Sequence, residues 1–189
     1  MSKQFKYEAD GQLQLGQPAP KFYLPGVDGK HHKLEEFRGK TKALAVIFWC
    51  NHCPYVIKSE DKMISIYRDY ENREVEFVLI SANDVVNYPQ DSFENMKKRS
   101  NVKEYPFLYL YNENQKVAKE YGALVTPHVF LFDADLILRY RGGIDNNINM
   151  ERIKTSHYFR AALDRVLDDE GHKIQDNKTK AIGCSIKWK

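Results

Sequence analysis

The strongest hydrophobic pattern lies in the first half of the chain. Residues 43–49, Ala-Leu-Ala-Val-Ile-Phe-Trp, are continuously apolar, which is typical of a strand covered on both faces of a sheet. Pro54 then opens a segment that keeps rough helical spacing of its apolar residues to about position 71, and proline is favoured at the first position of a helix. A second buried strand is predicted over 75–81. This strand–helix–strand order predicts a parallel crossover.

The second half of the chain predicts helices, an extended stretch and a hairpin. The helices are expected over 91–100, 115–121 and 155–170, and the extended stretch over 107–111. Two apolar runs, 129–132 and 136–140, flank an Asp-Ala-Asp turn and predict an antiparallel hairpin. A mixed central sheet with helices on both faces satisfies both halves of the chain, so the predicted fold class is α/β.

Length and composition fit one globular domain. The chain has 189 residues, of which 42% are hydrophobic, and this is about the size of a single domain. We expect one domain over 1–189, with a core of about 13–171 and a C-terminal tail over 172–189. The tail is polar except for its apolar end, 182–188, which we expect to dock on the domain.

Charge and cysteine content exclude several classes of protein. The net charge of +3 is too small to indicate nucleic acid or an anionic membrane as the main partner. No apolar run approaches the roughly 18 residues of a membrane span, and the polar N-terminus lacks the apolar stretch of a secretory signal. We therefore expect a cytoplasmic protein. Three cysteines exclude a small disulfide scaffold and, in a reducing compartment, indicate chemistry.

The main candidate site is a cysteine pair at the predicted strand–helix junction, in the sequence Trp49-Cys50-Asn51-His52-Cys53-Pro54. A helix N-terminus favours a thiolate, because its free N–H groups and its dipole stabilise negative charge. The spacing therefore predicts a redox-active disulfide between Cys50 and Cys53. Two alternatives stay open: inert buried thiols, and part of a metal site, although a four-ligand zinc site needs a second close pair and Cys184 is unpaired. His52 either lowers a thiol pKa when it is protonated or is solvated.

Several segments of the chain resemble the thioredoxin-like redoxins, a superfamily that includes the peroxiredoxins. These segments are Gly16-Gln17-Pro18-Ala19-Pro20-Lys21-Phe22, Asp28-Gly29-Lys30, Phe37-Arg38-Gly39-Lys40 and the strand into Trp49-Cys50. The segment Cys-Asn-His-Cys-Pro-Tyr-Val and the closing Gly-Cys-Ser-Ile-Lys-Trp-Lys are similar to peroxiredoxin-like proteins with a thioredoxin-type Cys-x-x-Cys. The resemblance covers about residues 13–189. It implies a thioredoxin-like fold with a peroxiredoxin-type N-terminal extension, of the alkyl hydroperoxide reductase and thiol-specific antioxidant type.

The resemblance also implies which groups would handle a peroxide, and two of them are replaced here. Alignment on Cys-Pro places Cys53 at the peroxide-attacking cysteine of peroxiredoxins, Cys50 at their threonine and Pro127 at their arginine. Because that threonine and arginine hold the peroxide, we expect peroxide turnover well below that of true peroxiredoxins. Thr126-Pro127 resembles instead the cis-proline loop of thioredoxins, which faces the Cys-x-x-Cys and offers its backbone to an extended substrate.

Cys184 in the tail admits two interpretations. In the first, it is a small buried filler of a hydrophobic patch that Ile186 and Trp188 cover. In the second, the tail brings Cys184 to the active site as a resolving thiol for oxidised Cys53, in the same or a partner subunit.

The predicted function is a thiol–disulfide oxidoreductase that uses the Cys50/Cys53 dithiol, with thiol-dependent peroxidase activity as a second candidate. Its expected partners are a protein or small-molecule disulfide or peroxide and an external thiol reductant. A homodimer is left open, and no cofactor, nucleic acid or membrane is expected. The alternative function is a copper or zinc carrier that uses the same cysteines and a histidine. The predicted catalytic residues are Cys50, Cys53 and Pro127, with Cys184, His52, Thr126 and Trp49 as further candidates.

Overall fold

The computed structural model describes residues 11–146, 156–168 and 178–189. Five of its strands form one sheet: β3 (Ala43–Trp49), β4 (Val75–Ser81), β5 (Leu108–Tyr111), β7 (His128–Asp133) and β8 (Leu138–Gly142). The described residues also form four α-helices: α1 (Pro54–Tyr70), α2 (Phe93–Lys103), α3 (Lys116–Tyr121) and α4 (Tyr158–Leu167). The strands lie in the order β5-β4-β3-β7-β8. The predicted α/β class with a thioredoxin-like fold is confirmed.

The connections between the strands explain which strands run parallel and which run antiparallel. Helices α1 and α2 connect β3, β4 and β5, which run parallel, whereas β7 and β8 form an antiparallel hairpin. Strand β7 is antiparallel to β3, with His128 opposite Phe48. Because Trp49 is also opposite Ser81, the end of β3 lies at the same edge of the sheet as the end of β4 and the start of β7. This edge carries the cysteine pair.

Every residue of β3 is buried, because both faces of the sheet are covered. Side chains alternate between the two faces. Ile47 and Trp49 belong to a hydrophobic cluster with residues of α1, α2 and α4. Val46 and Phe48 belong to a second cluster, with residues of α3 and of the N-terminal segment. The continuous apolar run is thus explained by two cores, one on each face.

Four short strands lie outside the central sheet: β1 (Tyr23–Pro25), β2 (His31–Lys33), β6 (Val125–Thr126) and β9 (Cys184–Ser185). The hairpin β1–β2 and a 3₁₀ turn at Leu34–Glu36 build the predicted N-terminal extension, which covers the sheet face that α3 covers. Further 3₁₀ turns follow α1 at Glu71–Arg73 and precede α2 at Pro89–Asp91. In the described part of the chain, no helix combines the length and the apolar character that crossing a membrane requires.

The predicted limits of two helices differ from the structure by two residues or more. Helix α2 begins at Phe93 rather than at position 91, because the Ser92 hydroxyl accepts the N–H of Asn95 at 3.3 Å and caps the helix. It also continues to Lys103, beyond the predicted end at position 100. Helix α4 is shorter than the predicted 155–170, and both predicted ends lie outside the described residues. Only the part of the tail over 178–189 is described.

Candidate active site

Cys50 and Cys53 lie where β3 ends and α1 begins. Cys53 is the N-cap residue of α1, and Pro54 occupies the first helical turn, where its missing N–H leaves no donor unpaired. The Cys53 carbonyl accepts the N–H of Ile57 at 3.0 Å, which closes the first turn. Both thiols are free, and the two residues are only 1% and 0% exposed. The predicted placement of the pair at a helix N-terminus is confirmed.

The loop that carries Pro127 faces both sulfur atoms. The Thr126–Pro127 peptide bond is cis, as the resemblance implied. Cys50 Sγ lies 3.2 Å from Thr126 Oγ1, and Cys53 Sγ lies 3.3 Å from the Thr126 carbonyl oxygen. Thr126 therefore touches both cysteines, one through its side chain and one through its backbone. The catalytic role predicted for Pro127 stays a prediction.

The C-terminal tail completes the site from the other side. Strand β9 pairs antiparallel with β6, and this pairing sets Cys184 opposite Thr126. In this position the N–H and the thiol of Cys184 both help to lower the pKa of the Cys53 thiol. Ile186 is buried in the core, so the predicted docking of the tail is confirmed. Trp188, which we expected to cover a hydrophobic patch, is instead 41% exposed and lies beside the Lys119 ammonium.

Asp91, at the predicted start of the helix over 91–100, is a residue of the site that was not among the predicted site residues. Its side chain is fully buried and binds the loop between the two cysteines. Oδ1 accepts the backbone N–H groups of Asn51 and His52 at 2.7 and 3.2 Å. Oδ2 lies 2.6 Å from His52 Nδ1 and accepts the Asn83 amide at 2.7 Å. Four contacts on one buried carboxylate hold the Cys-x-x-Cys loop in place, and no local sequence pattern indicates such a long-range contact.

The three thiols differ in acidity because their surroundings differ. The hydrogen bond from Cys50 lowers the pKa of Cys53 to about 5 in spite of burial, and the Val56 and Cys184 N–H groups add to this effect. The same hydrogen bond, with burial and the negative charge of Asp91, raises the pKa of Cys50 well above its ordinary value. Burial and the neighbouring Cys53 raise the pKa of Cys184 to about 11. Of the three thiols, Cys53 is therefore the one whose surroundings most favour the thiolate.

Trp49, one of the further candidates, and His128, which follows Pro127, are both buried. The Trp49 indole donates to the Tyr105 hydroxyl at 3.3 Å and packs in the core, as expected for a residue that supports the site. His128 accepts the Leu124 N–H at 3.4 Å, and its ring lies 4.5 Å from that of Phe130. Burial and the nearby Arg141 lower the pKa of His128 to about 3. His128 is thus a neutral core histidine.

His52 belongs to the only group of potential metal ligands found among the described residues. The ligand atoms of Cys50, His52 and Asp91 lie within 4.8 Å of one another. Both Asp91 oxygens, however, already accept hydrogen bonds from the loop and from Asn83. A metal would have to replace these contacts, so the donor set fits a structural network better than an open metal site.

Comparison with known proteins agrees with this chemistry. A family model described as the AhpC/TSA family matches residues 15–141. The chain is 26% identical over 129 residues to the thiol-disulfide oxidoreductase ResA of Bacillus cereus, an alignment that covers 68% of this chain and 69% of that protein. An uncharacterized conserved protein from Geobacillus kaustophilus has a similar crystal structure, with a TM-score of 0.86 and 42% identity over 93% of both chains.

The fold extends to more distant proteins. A hypothetical protein from Sinorhizobium meliloti 1021 matches with a TM-score of 0.87 and 32% identity over 94% of this chain and 96% of that one. The peroxidoxin BcpB from Mycobacterium tuberculosis matches with a TM-score of 0.61 and 16% identity over 87% of this chain and 99% of that one, which shows the fold alone. The predicted resemblance to the redoxins is confirmed, and these comparisons do not favour the metal-carrier alternative.

Proposed function

The chain belongs to the AhpC/TSA family, and on that basis we propose that it is a thiol–disulfide oxidoreductase whose redox couple is Cys50 and Cys53. One observation carries the proposal. An acidic thiol at the start of α1, Cys53, is hydrogen-bonded to a second thiol three residues earlier, and both contact Thr126 in the cis-proline loop. Reversible thiol–disulfide exchange needs a thiolate and a second thiol within bonding reach, and this arrangement supplies both.

The reaction begins at Cys53, because Cys53 carries the negative charge. Its thiolate attacks one sulfur of a substrate disulfide and expels the other sulfur as a thiolate, which leaves a mixed disulfide on Cys53. Cys50 then attacks Cys53 Sγ, forms the Cys50–Cys53 disulfide and releases the second substrate thiolate. Two electrons pass from the protein to the substrate, which takes up the Cys50 proton and one proton from solvent. An external thiol reductant reverses the change in the protein.

The two thiols are set up to act in this order. While Cys53 is anionic, its charge and the Asp91 carboxylate raise the pKa of Cys50, so Cys50 keeps its proton. Formation of the mixed disulfide removes the charge on Cys53 and with it that part of the effect. The Thr126 hydroxyl, at 3.2 Å from Cys50 Sγ, can then stabilise the Cys50 thiolate that attacks.

Thiol-dependent peroxidase activity is a second candidate, supported by the low pKa of Cys53 at the position of the peroxide-attacking cysteine. The chain lacks the matching threonine and arginine, since Cys50 and Pro127 occupy those positions. Arg139, the next arginine along the chain, does not take over this role, because it pairs with Asp133 at 2.6 Å, and Asp133 lies at the other end of the sheet, opposite Ala43. We therefore propose that disulfide exchange is faster than peroxide reduction.

Stopped-flow oxidation of the fully reduced protein by a disulfide and by hydrogen peroxide, side by side, tests the proposal. We expect faster reaction with the disulfide and a Cys50–Cys53 linkage in mass mapping after alkylation. Cys53→Ser should abolish the reaction, whereas the double variant Cys50→Ser, Cys184→Ser should stop at the mixed disulfide on Cys53. Both cysteines remaining free while Cys184 oxidises would contradict the proposal. Fast peroxide reaction retained in Cys50→Ser would favour the peroxidase, and stoichiometric copper or zinc in the purified protein would favour the carrier.

The remaining expectations about partners and location are also proposals. The substrate is a protein or small-molecule disulfide, and the reductant is an external thiol. The relatives' name supports a disulfide as substrate. A cytoplasmic location is likewise a proposal, and a homodimer stays open.

A further inference from the structure

The buried position of the redox couple raises the question of where a reductant in solution can attack. Cys50 and Cys53 are 1% and 0% exposed, so a thiol in solution, like the substrate disulfide, must approach Cys53 past the C-terminal tail that covers it. Cys184 is partly exposed, is the strand partner of Thr126 and packs against the buried cluster that contains both Cys50 and Cys53. Among the three thiols, Cys184 is therefore the one that faces both the buried couple and the solvent.

We propose that Cys184 is a third redox thiol, through which the buried Cys50–Cys53 disulfide is passed to the surface for reduction. This inference rests on the proposed function, because it assumes that the Cys50–Cys53 disulfide forms. The convergence of the three cysteines on one residue supports it. Cys50 Sγ contacts the Thr126 hydroxyl, Cys53 Sγ contacts the Thr126 carbonyl, and Cys184 is the strand partner of Thr126.

The tail holds Cys184 in this place rather than delivering it from a distance. The Ile186 N–H donates to the Leu124 carbonyl at 3.0 Å, and the Lys187 N–H donates to Asn83 Oδ1 at 2.9 Å. The Gln115 amide donates to the Lys187 carbonyl at 2.8 Å, and its oxygen accepts the Lys189 N–H at 2.9 Å. These bonds fix the segment that follows Cys184 along the cis-proline loop.

Gly183 fixes the backbone on the other side of Cys184. A side chain at this position would place its Cβ 2.1 Å from the Thr126 carbonyl oxygen, which no substitution could accommodate without moving one of the two strands. The absence of a side chain is therefore what allows the tail to lie against the cis-proline loop. Close backbone approach at Gly183 is a condition for the contact between Cys184 and Cys53.

This transfer of the disulfide from Cys50–Cys53 to Cys184, which we call the relay, and the reduction that follows it consist of three exchange steps that balance without another oxidant. The Cys184 thiolate attacks Cys53 Sγ of the Cys50–Cys53 disulfide, which forms the Cys53–Cys184 disulfide and releases Cys50 as a thiolate that takes up the Cys184 proton. An external thiolate then attacks Cys184 Sγ and expels Cys53. Cys53 is a good leaving group in this second step, because a thiolate whose thiol has a low pKa leaves faster. A second external thiol resolves the mixed disulfide on Cys184, so two external thiols are oxidised and the protein is fully reduced.

Mass mapping and reduction kinetics test the relay. Reduced Cys50→Ser protein, treated with hydroxyethyl disulfide, should yield a Cys53–Cys184 bridge. In the chain with all other cysteines intact, Cys184→Ser should still form the Cys50–Cys53 disulfide, but its reduction by glutathione should slow about tenfold or more. Ser185→Ala, a change on the same strand at an exposed side chain, is the matched control and should keep the original rate.

The outcomes separate the relay from the proposed function. Reduction of Cys184→Ser at the original rate, or a Cys184 that stays unbridged in Cys50→Ser, overturns the relay. If the Cys50–Cys53 disulfide still forms in Cys184→Ser and in the unchanged protein, the proposed function stands. If that disulfide forms in none of them, including the unchanged protein, the proposed function fails first.

Discussion

The two sides of the Cys53 sulfur are built by different means. On the Cys50 side, buried side chains hold the loop, and the Asp91 carboxylate places a negative charge beside the thiol. On the Cys184 side, backbone pairing of β9 with β6 holds a strand that stays partly exposed. A side-chain network around a charge controls acidity, whereas a backbone-paired strand controls access. One side therefore sets which thiol is ionised, and the other sets what can reach it.

Removal of the Asp91 carboxylate should have the largest effect on stability. Asp91→Ala leaves the N–H groups of Asn51 and His52 and the Asn83 amide buried without an acceptor. We expect the free energy of unfolding to fall by about 3 kcal/mol. Urea denaturation checks this value. Asp61→Ala is the matched control, because the Asp61 side chain is 88% exposed, and a comparable loss there would show that Asp91 has no special role.

Weakening the packing of the C-terminal tail should lower the free energy of unfolding by less, but it should increase the access of reagents to Cys53 more. Ile186→Ala creates a cavity beneath the tail, because Ile186 is 3% exposed, and should lower the free energy of unfolding by about 2 kcal/mol. Because the tail covers Cys53, the same change should speed alkylation of Cys53 in the folded protein. Ile182→Ala, at 37% exposure on the same tail, should change neither quantity appreciably. An unchanged alkylation rate in Ile186→Ala would mean that the tail does not limit access.

The smallest perturbation is a change of pH, which substitutes no residue on either the Cys50 side or the Cys184 side of Cys53. Since the pKa of Cys53 is lowered to about 5, its thiolate should form as the pH rises through about 5 and persist above that value. The ultraviolet absorbance of the thiolate follows this step, and Cys53→Ser should remove it. Asp91→Asn, which removes the charge, should lower the raised pKa of Cys50. A first transition near the ordinary cysteine value of about 8.5 would contradict the assignment of the charge to Cys53.

Local patterns predicted the elements that carry the redox couple. The apolar run Ala43–Trp49 requires burial on both faces, and Pro54 permits a helix to start only at its own position or just before it. These two signals place Cys53 at the N-cap without knowledge of the fold. The limits of α2 were less accurate, since Asp91 and Ser92 are both suitable caps and only the observed hydrogen bond to Asn95 distinguishes them.

Contacts between distant segments could not be read from such patterns. Strands β6 and β9 have two residues each, which is too short for any periodicity, and their pairing is decided by the space that Gly183 leaves beside Thr126. The burial of Asp91 depends on the loop after β3 meeting the loop after β4 at one edge of the sheet. Neither contact is indicated by the residues that lie next to it in the sequence.

The sequence by itself determined the fold class, the helix-capping position of Cys53 and the closeness of Cys50, because these depend on burial periodicity, proline geometry and a spacing of three residues. Only the tertiary structure decided which thiol is ionised and where Cys184 lies. Acidity depends on donors and charges supplied from separate segments, here Cys184 and Asp91, whose distance from the thiols is set by sheet order and strand pairing.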